Sequence, residues 1–141
     1  MYKVNINPYE ISKNNIERKA IKIDNEEIYL SVGAHLSMGD LPYSLLIDVH
    51  YSNDKTERLT DSIKDLKSFG TYIAINPKFK DKKLIRKLKE LSIISDTINK
   101  VTRNNKVYEI VEVNIDVLKE YKPFGDSILK DFKKEKDDLV L

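Results

Sequence analysis

Two histidines, a few acidic clusters and one lysine-rich segment are the places in this sequence whose side chains could do chemistry. His35 and His50 are the only groups whose unperturbed pKa lies near neutrality. A shared catalytic or metal centre needs them side by side. They fall instead at opposite ends of one expected hairpin, roughly 25 Å apart at about 3.3 Å per residue, which predicts two isolated surface histidines. Asp24-Asn25-Glu26-Glu27, Asp61 with Asp65, and Asp137-Asp138 match neither a calcium loop nor a His-Glu zinc motif. Asp61 and Asp65 are the least easily dismissed of these. Ser31-Val32-Gly33 lacks the Gly-x-Ser-x-Gly elbow that exposes a nucleophile. Gly33, Gly39, Gly70 and Gly125 are too scattered to cradle phosphate. The expectation is a protein with no catalytic residue, no metal ligand set and no cofactor: not an enzyme.

The basic segment is different. Lys78, Lys80, Lys82, Lys83, Arg86, Lys87 and Lys89 stand against a single Asp81, in a chain whose net charge is only +2. On a helix, Lys82, Arg86 and Lys89 line the side away from Leu84, Ile85, Leu88 and Leu91. Together with Lys78 they form a candidate binding face for nucleic acid or for an acidic protein surface. A solvated helix face is the commoner fate of such a run. Arginine occurs only at Arg18, Arg58, Arg86 and Arg103, which does not favour dedicated bidentate phosphate clamps. Among the eight tyrosines, Tyr43 and Tyr51 fall on the expected core face of the hairpin. Tyr29 falls on the outer face, making it a second candidate binding residue, able to stack on a base or a small ligand.

The elements that must position these groups follow from periodicity. Glu27–Leu36 and Leu41–Tyr51 are two alternating runs around Ser37-Met38-Gly39-Asp40, a hairpin signal. Pairing Leu36 with Leu41 sets Val32 opposite Leu45, Leu30 opposite Ile47 and Ile28 opposite Val49, all on one face. Residues 2–6, before the break at Pro8, and Ile16–Ile23 are further short strand candidates, the latter closed by Asp24-Asn25. Residues 56–63 read equally as a third meander strand or as the start of a short helix. Thr71–Ile75 is a short strand ended by Asn76-Pro77, and Asp81–Leu91 is the best helix. Asn104-Asn105 tolerates positive φ and signals a second hairpin with arms Thr97–Arg103 and Lys106–Ile115. Asp126 caps a last helix with Ile128, Leu129 and Phe132 inward.

The fold class expected is therefore α+β. It has an antiparallel sheet of five or more strands, a meander plus a second hairpin, packed with two amphipathic helices. The 141 residues, 40% hydrophobic and 34% charged, suit a single domain over 1–141 with a frayed, charged end at 133–141. The absence of cysteine removes disulfides, thiolate chemistry and the usual zinc sites. No apolar leader and no bilayer-length run is visible, so the expected location is cytoplasmic, with no membrane partner.

Three stretches carry a resemblance: Tyr29-Leu30-Ser31-Val32-Gly33-Ala34-His35, Gly70-Thr71-Tyr72, and Leu118-Lys119-Glu120-Tyr121-Lys122-Pro123-Phe124-Gly125. In their order they resemble an uncharacterised bacterial family, a domain of unknown function carried by plasmids, conjugative elements and phages. The likeness covers about residues 26–125, and Lys122 stands where that family has an acidic residue. The resemblance implies a context, not a chemistry: an accessory protein of a mobile genetic element, of the kind that binds and disables host defence machinery. The leading expectation is an antagonist, anti-CRISPR in type, docking stoichiometrically on a host defence protein or nucleoprotein such as a CRISPR–Cas effector. The alternatives are a nucleic-acid-binding accessory factor, and a binder or sponge for a small nucleotide signal.

Overall fold

A computed structural model describes residues 19–35, 39 and 41–133. The strand expected over 2–6, the first part of Ile16–Ile23, most of the 36–40 turn and the tail beyond 133 lie outside the described residues.

The first sheet is built by alternation of apolar and polar residues. Ile21–Ile23 (β1), Glu26–Ala34 (β2), Leu45–His50 (β3) and Thr56–Arg58 (β4) pair antiparallel in that order. Asp24-Asn25 makes the β1–β2 turn, with Asp24 in the left-handed region at φ 55°. The β2–β3 hairpin is present, but its register differs from expectation by two residues. Ala34 faces Leu45, Val32 faces Ile47 and Leu30 faces Val49. Two causes lie in Leu41–Ser44. Pro42 has no N–H to give to a ladder. Tyr43 is also drawn away: its N–H donates to Ser68 Oγ at 3.2 Å and its carbonyl accepts from Phe69 N at 2.8 Å. A two-residue slip keeps every side chain on its expected face, so the inward set Leu30, Leu45, Ile47 and Val49 is preserved and buried. Val32, expected to be buried, is only half-buried.

The second sheet contains Thr60–Asp61 (β5), Tyr72–Ile75 (β6), Asn99–Arg103 (β7) and Lys106–Glu112 (β8), in the order β5-β6-β8-β7. Among the described residues there are thus two four-stranded antiparallel sheets where a single sheet of five or more strands was expected. The ambiguous 56–63 segment is extended, and it serves both sheets. Between β4 and β5, Leu59 donates its N–H to Ile47 O at 2.9 Å and accepts from Asn76 N at 2.8 Å. The second hairpin turns as expected at Asn104 and Asn105, at φ 52° and 65°, and pairs Arg103 with Lys106.

Lys83–Glu90 (α1) buries Leu84, Ile85 and Leu88 against both sheets, in one cluster with Ile28, Leu45, Ile73 and Val111. The strand expected to run to Ile115 stops at Glu112. Asn114 instead caps a helix, Ile115–Glu120 (α2), by accepting from Val117 N at 3.1 Å. The helix expected from Asp126 is a 3-10 helix, Asp126–Asp131, with Leu129 and Phe132 buried and Ile128 partly so. Before it, Phe124 adds to the free stretch of β2. Val32 N donates to Phe124 O at 2.8 Å and Phe124 N to Leu30 O at 3.0 Å. Among the described residues no helix is long and apolar enough to cross a membrane.

Candidate macromolecular interface

The basic helix begins two residues later than its sequence pattern suggests. Asp81 takes φ 59° and Lys82 stays extended as the cap, so no side chain closes the N-terminus. At the other end Ser92 enters the left-handed region at φ 64°, and Lys87 and Lys89 complement the exposed carbonyls of the last turn. Burying Leu84, Ile85 and Leu88 fixes the rotation of the helix. Lys82, Arg86 and Lys89 were expected to lie opposite the apolar stripe. They lie instead on its Ile85 flank, where they border a groove of about 350 Å³ between α1 and strands β6 and β8. The groove has an apolar floor that includes Ile75, Phe79 and Val111, and Lys80 also lines it.

Charge pairing separates the cations of this segment into two groups. Lys83 reaches Asp24 at 2.9 Å and Lys87 reaches Glu90 at 3.8 Å. Lys78, the fourth candidate, is not part of the groove. Its Nζ lies 3.1 Å from Glu57 Oε2 and 5.2 Å from the Phe79 ring centre. Lys82, Arg86 and Lys89 form no ion pair among the described residues. Arg86 donates to Asp81 O at 2.9 Å and Lys89 to Thr97 Oγ1 at 3.4 Å, both uncharged acceptors. Two carboxylates line the same groove, Asp81 and Glu109, and Glu109 accepts from Thr97 Oγ1. Four cations against two anions leave the groove positive. From the sequence Lys80 was seen only as one member of the basic run and Glu109 not at all, because it is the packing of Pro77–Phe79 on β8 that brings this part of the groove together.

The outer face of the first sheet holds the other candidates. Tyr29 is half-buried and directly opposite His50. The expectation of surface histidines does not hold for His50, which is 7% exposed. Its ring bridges two neighbouring strands, with Nε2 2.7 Å from Ser31 Oγ on β2 and Nδ1 3.1 Å from Thr56 Oγ1 on β4. His35, half-buried, places Nε2 3.4 Å from Thr60 Oγ1. Asp48 and Arg58 pair at 3.1 Å on the same face. Serine, imidazole and threonine in series resemble a nucleophile, base and orienter. Ser31 is mid-strand, however, with its stretch of β2 paired to β3 on one side and Phe124 on the other. The arrangement forms a hydrogen-bonded strut across β2, β3 and β4. Among the described residues, no group of three or more His, Cys, Asp or Glu could hold a metal ion.

Burial pushes the His50 imidazole below its ordinary value, against the opposing pull of the Asp48 carboxylate. Burial and then Arg58 push His35 the same way, with Asp61, Asp48 and a hydrogen bond from the ring to the Thr60 backbone opposing. A depressed histidine pKa contributes stability that is complete above the unfolded value, about 6.5, and is lost as pH falls through the folded value. The urea midpoint should therefore be level above about pH 7 and fall as the solution is acidified below about 6.5. His50→Gln should flatten that fall. A wild-type midpoint unchanged down to about pH 5 would contradict the strut.

No family model, no curated protein and no solved structure matches this chain.

Proposed function

We propose that this chain is a non-enzymatic, stoichiometric binding protein whose basic groove seats on a polyanionic face of a host nucleoprotein. In the context its resemblance implies, it would serve a mobile genetic element by antagonising a defence effector of the CRISPR–Cas type. One observation carries the reading. Of the cations that border the groove, Lys82, Arg86 and Lys89 have no acidic partner among the described residues, while Lys78, Lys83 and Lys87 beside them do. Unpaired charge in a concave site with apolar walls focuses the field outward and speeds encounter with an anionic partner.

The test is charge reversal of the triad. Lys82, Arg86 and Lys89 are outside the core cluster, so K82E/R86E/K89E should fold. Labelled DNA and RNA are titrated across a salt series, and partner capture from host lysate is compared with wild type. If the triad touches phosphates, the salt slope of binding falls by about three units, one for each contact. If it touches an acidic protein surface, capture is lost with no nucleic-acid binding in either form. A folded triple variant that binds both as wild type does would make the groove a solvated helix flank, and the reading would fail.

A further inference from the structure

A second surface points to the kind of polyanion. Tyr43 was expected in the core, yet it is 41% exposed, and it stacks on Phe69, itself 39% exposed. Their ring centres are 5.3 Å apart with planes 15° from parallel. Phe69 in turn leans on buried Phe132, centre to centre 5.5 Å. The result is a column of rings with its base in the core and its top, the free side of Tyr43, in solvent.

The backbone under this column is strained. Phe69 has φ 57°, a region that is strained for a bulky residue and that glycine enters freely. Gly70 is the next residue, yet the left-handed position falls to the phenyl. It is pinned there from both sides: Phe69 N donates to Tyr43 O at 2.8 Å, and Phe69 O accepts from Lys133 N at 3.0 Å. A glycine would make the same turn without strain and without exposing apolar area.

The foot of the column borders a surface on which lysines outnumber carboxylates by four to three. A cleft of about 740 Å³ runs from Lys89, shared with the groove, to Phe132 at the foot of the column. Lys119, Lys130 and Lys133 line it, and none forms an ion pair among the described residues. Asp96, Glu112 and Asp116 also line the cleft, and Glu112 accepts from Thr71 Oγ1 at 3.0 Å. An open, flat aromatic face beside lysine point charges matches a nucleic-acid single strand, whose unpaired base offers a π-face and whose phosphates follow the cations. A duplex buries those faces in its own stack.

We infer that Tyr43, supported by Phe69, is a stacking platform for an unpaired base of a single-stranded nucleic acid whose backbone follows the Lys133–Lys89 cleft. This rests on the groove reading for the course of the phosphates alone, and it names the single-stranded part of a nucleoprotein as what the protein touches.

The experiment titrates labelled single-stranded DNA and RNA of about 20 nucleotides, and the matching duplexes, against wild type, Tyr43→Ala, Tyr43→Phe, Phe69→Gly and K82E/R86E/K89E. Wild type should prefer single strands. Tyr43→Ala should weaken them about tenfold, in the range of one lost base stack, with the salt slope unchanged. Tyr43→Phe should retain the affinity. Phe69→Gly, which removes the support while easing the backbone, should lose affinity without losing the fold. If Tyr43→Ala binds single strands as wild type does, or if duplex and single strand weaken alike, the platform is overturned even where the triple reversal still lowers the slope. Binding of no nucleic acid by wild type also overturns it, and leaves a protein surface as the groove's partner. A triple reversal without effect beside a damaging Tyr43→Ala removes the groove reading and keeps the platform.

Discussion

Gly125→Ala should lower the stability of the protein by about 2–5 kcal/mol, a large part of the whole for a chain of this size. Two penalties coincide. Gly125 has φ 84°, where an L side chain is strained by about 1–2 kcal/mol. A β-carbon built there would also lie 2.5 Å from the carbonyl oxygen of Val32, and that oxygen belongs to a strand that cannot yield. To relieve the overlap the chain must release Phe124 from Leu30 and Val32, and with it the path into Leu129 and Phe132. Gly33→Ala is the control. Nothing lies within 4 Å of its added carbon and its φ is not in the left-handed region. Urea unfolding should therefore show Gly33→Ala near wild type and Gly125→Ala far below it. Equal midpoints would mean that Phe124 does not pair with β2.

Ile47→Asp should leave no folded protein at room temperature. Ile47 is 1% exposed, central in β3, and belongs to the same core cluster as Leu59 and the buried residues of α1. Losing the aliphatic side chain costs about 2–5 kcal/mol, and an unpaired buried charge adds several more, which together reach the total stability expected of such a protein. Circular dichroism and amide NMR dispersion decide the outcome. Val32→Asp, one strand away on the same face but half-buried, should be milder. A well-dispersed spectrum for Ile47→Asp would return the β2–β3 pairing to question.

What could be read in the sequence was what period and turn chemistry determine locally. Asn104-Asn105 placed the second hairpin with its pairing intact, because two residues at positive φ leave only one way to close a two-residue loop. Leu84, Ile85 and Leu88 gave the buried side of α1. The alternation in β2 and β3 gave the faces but not the register, since slips of two residues are equivalent in pattern. What decided between them was Pro42 and the pull of Ser68-Phe69 on Tyr43, a contact between distant segments. The same pull took Tyr43 out of the core. The helix after Asn114 was legible and went unread: Asn114 followed by Asp116 is an N-terminal signal that a strand pattern ending in Val-Glu-Val concealed. Nothing local showed that His50 would be enclosed, because Thr56 reaches it only if residues 56–58 are extended. The basic residues were visible at once. Which of them would be neutralised was not, since Glu57 comes to Lys78 from β4 and Asp24 to Lys83 from the β1–β2 turn.

The segment Thr56–Asp61 has a mechanical meaning beyond its pairing. One short run of peptide supplies the last strand of the first sheet and the first strand of the second, with Leu59 tied on both sides at the crossing. Neither sheet can shed that edge alone. If β4 peels from β3, Leu59 is drawn off Ile47 and the same movement loosens its grip on Asn76 and the start of β6. The two sheets are coupled in series, as two panels sharing one hinge pin. Partial opening that stops at the boundary between them is therefore costly, and the groove on one sheet and the histidine strut on the other are held or lost together.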